Sequence, residues 1–419
     1  MNAHVRPPRL TDGDRLWSNL MTMAEIGALP HGGCCRLALT DEDRQARDLF
    51  VRWAREAGCE VSVDPFGNIF ATRPGRSRDA AHVLVGSHLD TQPHGGRFDG
   101  VLGVLAGLET VRALNELGVE TEHAVTVVNW TNEEGVRFSP GLTGSGGFVG
   151  AIRSYDTSAI SGVGGVPFYP ELHRIGYGGS NRLTARIAGY YELHIEQGPV
   201  LERAGVSVGV VEGVQGVRWL SVDFTGEDRH AGTTPARDRR DAFMAAARLA
   251  VDMRTAALAL DDAFRITFGR VGVEPGSINT VPGRVNMTVD LRHSEVDHLD
   301  RIDAAIRREV VALHGTEGVE GTVERLMDVA PVRFDPAMQA NIETSAAELG
   351  IATSRLPSGA MHDASNLATV APSAMIFVPS RDGISHNENE WTDPMHVADG
   401  CEVLARAVLR HAMGDVGPY

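Results

Sequence analysis

The stretch that decides the fold runs from residue 82 to residue 134: HVLVGSHLDTQPHGGRFDGVLGVLAGLETVRALNELGVETEHAVTVVNWTNEE. Its first segment, HVLVGSHLD, is short, apolar and rich in Val, which reads as a strand. After a Gly-rich loop, GVLGVLAGLETVRALNELG reads as a buried helix that ends at Gly118, and AVTVVNW reads as a second buried strand. Strand, helix and strand in this order make a βαβ unit, hence a parallel sheet covered on both faces.

In parallel α/β sheets, sites gather at the carboxyl ends of the strands. Both strand ends here are rich in ligand-type residues. GSHLDTQPHGGRFDG carries His88, Asp90, His94 and Asp99, and TNEEG carries Glu133 and Glu134. The topology puts both on one edge of the sheet. Alone, His88 reads as a satisfied strand-end histidine and Asp99 as a helix N-cap. The adjacent glutamates change the balance, because like charges that close repel. A divalent cation would offset the repulsion by binding one of them. The other could take a proton from an attacking water whose pKa the ion lowers towards about 7. A solvated acidic turn is the plain alternative, and the buried strand just before it argues against that.

Further donors follow. YELHIEQGPVLE supplies His194, Glu196 and Gln197, and SRDGISHNENEW supplies His386 in a polar loop after an apolar strand. Histidines and carboxylates without cysteine suit Zn²⁺, Mn²⁺, Co²⁺ or Ni²⁺. Three histidines and at least two carboxylates, five or so ligands, are more than one catalytic zinc usually takes. Two ions bridged by a carboxylate would use them all.

The chain has 419 residues, so two domains are expected. Early on, Thr40 caps an amphipathic helix with Leu49, Phe50, Trp53 and Ala57 on its apolar stripe, and the strands CEVSVD and IFAT follow. Beyond VGVVEGVQGVRW, strands and long helices alternate in a β-α-β-β-α-β order, the ferredoxin-like pattern. We therefore expect an α/β catalytic domain over 1–213 and 331–419, interrupted by a smaller βαββαβ domain over 214–330. The net charge of −16 disfavours nucleic acid as a partner. Four cysteines without a CxxC pair fit a reducing compartment. With no apolar leader segment at the N-terminus and no spanning apolar run, the expectation is a cytoplasmic protein without a membrane partner.

GSHLDTQPHGGRFDG, NWTNEEGVRF, HIEQGPVLE, RHAGTTPARDRRDA, SINTVPGRVNMTVDLRH, PSGAMHDA and MIFVPSRDGISHNENE occur in this order. Together they make the chain resemble the hydantoinase/carbamoylase family of amidases, within the superfamily of dinuclear metallopeptidases that includes aminoacylases and glutamate carboxypeptidases. The resemblance runs from about LTDEDRQARDLF to the C-terminus. It implies that His88 and His194 bind one ion, that Glu134 and His386 bind the other, and that Asp99 bridges them. It implies Glu133 as general base and Asp90 as the partner that fixes the His88 imidazole. It also implies a lid and dimerisation role for the smaller domain, with a homodimer as the assembly.

The same resemblance assigns substrate groups. Arg292 would clamp a substrate carboxylate, although a strand-end salt bridge is the plain reading of that residue alone. His230 and Asn279 would polarise the scissile carbonyl, and His230 can equally cap the local turn beside Thr233 and Thr234. Whether His230 acts within its own chain or from the dimer partner stays open. Gln197 would make a polar contact, Gly359 and Ala360 would let the backbone approach the substrate, and His362 and Asp363 would support the site. Ala236 stands where many relatives have Met.

The implied reaction is hydrolysis of the ureido C–N bond of an N-carbamoyl amino acid to amino acid, ammonia and carbon dioxide. Allantoate and N-carbamoyl-β-alanine share the same ureido and carboxylate groups. A metallopeptidase or aminoacylase with the same metal site is a second reading, and HIEQG speaks against it, because the peptidase branch commonly has a carboxylate where His194 stands. A non-catalytic metal-binding dimer is the third, and the presence of every ligand together with Glu133 speaks against that.

Overall fold

The structure, a computed structural model, describes residues 8–77, 79–153 and 160–416. The first seven residues, part of the stretch read for a leader, lie outside them. The chain divides into two compact units, Met1–Gly213 with Arg333–Tyr419, and Val214–Val332. It re-enters the larger unit at Arg333, where the sequence reading placed 331. Pro331 belongs to the smaller unit because it packs on Gly216, the first residue of that unit's sheet.

The larger unit is built on a nine-stranded sheet. Its centre is parallel: Ala124–Trp130, His82–His88, Ile187–Ile195 and Ser373–Val378 lie side by side in that order. Antiparallel strands flank them, Glu60–Val63 and Ile69–Arg73 on one side and Val208–Val214 on the other. Ala124–Trp130 is buried at every residue, as a central strand covered on both faces must be. The helix Val101–Glu116 is buried over most of its surface, which explains the apolar run Val101–Leu108 that opens it. It packs on the sheet and on the C-terminal helix Pro394–Ala412.

Register sets the site. His88 pairs with Trp130 and His194 with Phe377, so the parallel strands end level with one another. Their carboxyl ends deliver His88, the Thr131–Glu134 turn, His194 and the loop bearing His386 to one edge.

The smaller unit runs strand, helix, strand, strand, helix, strand. Gly216–Thr225, Arg265–Glu274, Arg284–His293 and Glu320–Val329 form an antiparallel sheet. Ala242–Leu260 and Val296–Glu317 cover one face of it, and Leu220, Val222, Phe224, Leu249, Leu291 and Ile306 lie in that core. Among the described residues, no helix is long and apolar enough to cross a membrane.

Candidate metal centre

Asp99 lies between the strand His82–His88 and the helix Val101–Glu116, and its carboxylate does not cap that helix. The N-cap is Gly100, with φ 69° and no side-chain cap bond. Glycine is required there twice over. The backbone is left-handed, and a Cβ would lie 2.4 Å from the His88 ring. Asp99 is instead fixed through its backbone. The carboxylate of Glu390 accepts from the N–H groups of Phe98 and Asp99 at 3.0 and 3.1 Å, and from Ser385 at 2.9 Å.

The Asp99 carboxylate is thereby free to face the histidines. Oδ1 lies 3.0 Å from His194 Nε2 and 3.8 Å from His88 Nε2. Oδ2 lies 3.3 Å from His386 Nε2, which is itself 3.5 Å from Glu134 Oε2. Two donor groups therefore share one carboxylate: His88, Asp99 and His194, and Asp99, Glu134 and His386.

The histidine tautomers favour cation binding. His88 Nδ1 donates to the Asp90 carbonyl at 2.8 Å, and His194 Nδ1 donates to the Ile195 carbonyl at 2.8 Å. A neutral imidazole carries one proton, so both Nε2 atoms are bare. His194 Nε2 and Glu134 Oε1 are buried without an aligned hydrogen-bond partner. Such orphaned atoms are costly unless something else binds them. A divalent cation held by histidine and carboxylate donors fits this arrangement.

By the same test, a third group fails. In the smaller unit Asp261, His293 and His298 also come together. There His293 Nδ1 accepts from the Glu295 N–H, so Nε2 carries the proton and donates to Asp261 at 3.2 Å. No bare nitrogen of His293 remains for an ion.

Glu133 Oε2 stands 3.6 Å from His88 Nε2. Burial pushes its carboxyl well above the usual range, and Asp363, Glu134, Asp99 and Asp90 add to the shift. Burial and then Asp99 raise Glu134 to about 8. Burial holds the His88 imidazole down at about 4. Burial also opposes charge on His194, but the neighbouring Asp99 outweighs it and lifts that imidazole to about 9. Without a cation, protons gather where positive charge is needed.

Asp90 does hold the His88 imidazole, through its backbone carbonyl and not its carboxylate. The carboxylate instead accepts from the N–H groups of Glu133 and Glu134, each at 3.2 Å. One residue thus orients both a ligand and the acidic turn. Asn132, just before the pair, has φ 56°, and its amide donates to Phe138 O and Thr143 Oγ1 at 2.8 and 2.7 Å.

Gln197 and His386 both have left-handed backbones, at φ 58° and 52°. Gln197 Nε2 donates to Asp99 Oδ2 at 2.9 Å, so its amide touches a candidate ligand directly. His362 packs its ring on His194 and contacts Ser358 Oγ through Nε2. Among the described residues, no atom beyond its chain neighbours comes within 4 Å of a Cβ built at Gly359. Ala360 exchanges hydrogen bonds with Ser358. His94 is exposed and pairs with Glu388 at 3.0 Å.

In the smaller unit, His230 and Asn279 are neighbours across a short ribbon, where Ala231 N donates to Asn279 O at 2.9 Å. His230 Nδ1 accepts from Gly232 and Thr233 N–H, the local capping already weighed. Arg292 forms a two-pronged pair with Asp290 on its own strand.

Sequence reasoning missed Glu390, Gln92 and Ser385. Gln92 Nε2 donates to Glu134 Oε2 at 2.6 Å. Glu390 lies in a polar loop beside other polar residues. Its only trace in the sequence is Gly96, where a Cβ would collide with the Glu390 carboxylate.

The model of peptidase family M20/M25/M40 matches residues 84–410. An N-carbamoyl-L-amino-acid amidohydrolase from Rhizobium meliloti is 43% identical over 96% of this chain and 97% of that protein. A namesake from Geobacillus stearothermophilus is 39% identical over 97% and 100%. Relatives of lower identity are named allantoate amidohydrolase. The crystal structure of a hydantoinase/carbamoylase family amidase from Burkholderia multivorans superposes with a TM-score of 0.93 at 47% identity, covering 98% of this chain and 99% of that one. The chain belongs to peptidase family M20/M25/M40 and, within it, to the hydantoinase/carbamoylase amidases.

Proposed function

We propose that this protein is a metal-dependent amidohydrolase that converts an N-carbamoyl-L-amino acid and one water to the amino acid, ammonia and carbon dioxide. The observation that carries the chemistry is the Asp99 carboxylate shared by two donor groups, with Glu133 beside them. The substrate follows from the names of the relatives at 43% and 39% identity.

On this reading His88 and His194 would hold one ion, Glu134 and His386 would hold a second, and Asp99 would contribute to both. Divalent cations supply polarisation of the ureido carbonyl and a water acidic enough to attack near neutral pH. Glu133 takes the water's proton on its carboxylate and returns it to the departing nitrogen. Its carboxylate, 3.6 Å from His88 Nε2, stands beside the donor groups for that transfer. Asp90 keeps the Glu133 backbone in place. Gln197 holds Asp99 and meets the substrate, and Gly359 and Ala360 offer it backbone groups. Arg292 takes the substrate carboxylate, and His230 with the Asn279 amide takes the carbonyl oxygen.

A panel of N-carbamoyl α-amino acids, N-carbamoyl-β-alanine, allantoate and N-acetyl amino acids, each with Mn²⁺, Co²⁺, Ni²⁺ or Zn²⁺, tests the reading. Ammonia release from the N-carbamoyl α-amino acids is the expected result. Turnover of the N-acetyl compounds alone would overturn it.

A further inference from the structure

Glu390 belongs to neither donor group, yet it joins two of the loops that build the second one. That group takes Asp99 from the loop before the helix Val101–Glu116, and His386 from the loop after the strand Ser373–Val378. Glu390 is 3% exposed. Its Oε1 accepts from the Phe98 and Asp99 N–H groups, and its Oε2 accepts from Ser385 Oγ, one residue before His386. Ser385 Oγ also lies 3.2 Å from Asp99 Oδ2. The next residue after Glu390, Trp391, sets its ring edge-on to that of Phe98 at 5.8 Å. One buried carboxylate thus clamps the His386 loop to the Asp99 loop.

The two donor groups depend on this clamp to different degrees. His88 and His194 stand at strand ends, each 1% exposed, with Nδ1 fixed on the Asp90 and Ile195 carbonyls. Those contacts do not involve Glu390. The His386 side chain is 49% exposed, and its residue has a left-handed backbone at φ 52°. A half-exposed ligand on a loop holds an ion only as well as the loop itself is held.

Gly96 fits the same picture. A Cβ there would lie 1.9 Å from Glu390 Oε1. The loop leading to Asp99 thus has no side chain where the carboxylate enters.

Resting on the two-ion reading above, we propose that Glu390 is a positioning residue that sets the occupancy of one ion site, that of Asp99, Glu134 and His386. The site of His88 and His194 keeps its ion without it. Loss of Glu390 would turn a two-ion protein into a one-ion protein although no ligand has been removed.

The test reads bound metal, not turnover. Full-length chains are dialysed against graded Mn²⁺, and the metal held per chain is measured, with Tm recorded beside it. His386→Ala marks which binding step belongs to the second group. We expect Glu390→Ala to weaken that step by about ten- to a hundredfold and to leave the other near its wild-type value. Glu390→Gln keeps an acceptor for the Phe98 and Asp99 N–H groups and offers its NH₂ to Ser385 Oγ, so it should retain most of the affinity. Gly96→Ala displaces the carboxylate without removing it and should repeat the Glu390→Ala result. Should Glu390→Ala fail to fold, Gly96→Ala set against Glu390→Gln carries the same comparison. Equal weakening of both steps, no weakening of either, a Gln variant as poor as Ala, or Gly96→Ala at wild-type affinity would overturn the proposal. A wild type that binds no Mn²⁺, or one ion only, rejects the two-ion reading and this proposal with it. A two-ion wild type whose variants lose both ions or neither rejects the proposal alone.

Discussion

Asp99 Oδ1 stands 3.0 Å from His194 Nε2, yet no aligned hydrogen bond joins the two. A salt bridge built for its own sake would align. Two donors brought this close without an aligned hydrogen bond would leave their lone pairs to a shared cation. Because a cation would bind the folded chain and not the unfolded one, it should stabilise the fold, by about 2.7 kcal/mol at a hundredfold excess over Kd. Chelation should therefore lower Tm, and Mn²⁺ or Zn²⁺ should restore it. A Tm indifferent to both treatments would rule the site out.

Replacing Glu133 separates binding from chemistry. Glu133→Gln keeps the size of the side chain and removes its basicity. Turnover should fall by roughly 10²- to 10⁴-fold. Metal content, measured on the same preparation, should stay at the wild-type value because Glu133 belongs to neither donor group. Undiminished turnover would remove Glu133 as the base.

The sheet edge was legible because its strands are apolar runs that stop abruptly at His88, Trp130 and His194, and polarity at the end of a buried strand needs a reason. The role of Asp90 was less legible. Spacing puts it two residues after His88, but spacing does not say which of its oxygens does what. The carbonyl took the imidazole and the carboxylate took two backbone N–H groups. Glu390 was invisible for a different reason. It stabilises Asp99 through main-chain contacts made across the fold, and such contacts impose no pattern on neighbouring residues.

Asp64 gives a pH signature away from the ions. Its carboxyl is buried, which raises it from 3.8 to about 6, partly offset by hydrogen bonds from Asn68 and Phe66. Between these values the folded chain holds a proton that the unfolded chain has lost. Stability from this group is therefore full below about pH 4 and declines as pH rises to about 6. Asp64→Asn removes the titration. The difference in Tm between wild type and variant should move against the wild type from pH 4 to pH 6 and then level off. A difference that does not vary over that window would reject the assignment.

Arg292 and Asp290 sit two residues apart on one strand, hence on one face of the sheet, and pair at 2.9 and 3.1 Å. Both are partly exposed, so the pair itself is worth about 1 kcal/mol or less. If the guanidinium serves only Asp290, Arg292→Ala should cost a little stability and leave KM alone. If it also serves a substrate carboxylate, the loss falls on binding. We expect Arg292→Ala to raise KM by about ten- to a hundredfold, with a smaller change in kcat, as the loss of a charge-assisted hydrogen bond implies. Asp290→Asn supplies the opposite sign. It frees the guanidinium from its competitor, so KM should fall. Steady-state kinetics on both variants, with Tm measured beside them, separate the two roles. A KM that moves in neither variant would leave Arg292 with Asp290 and take it away from the substrate.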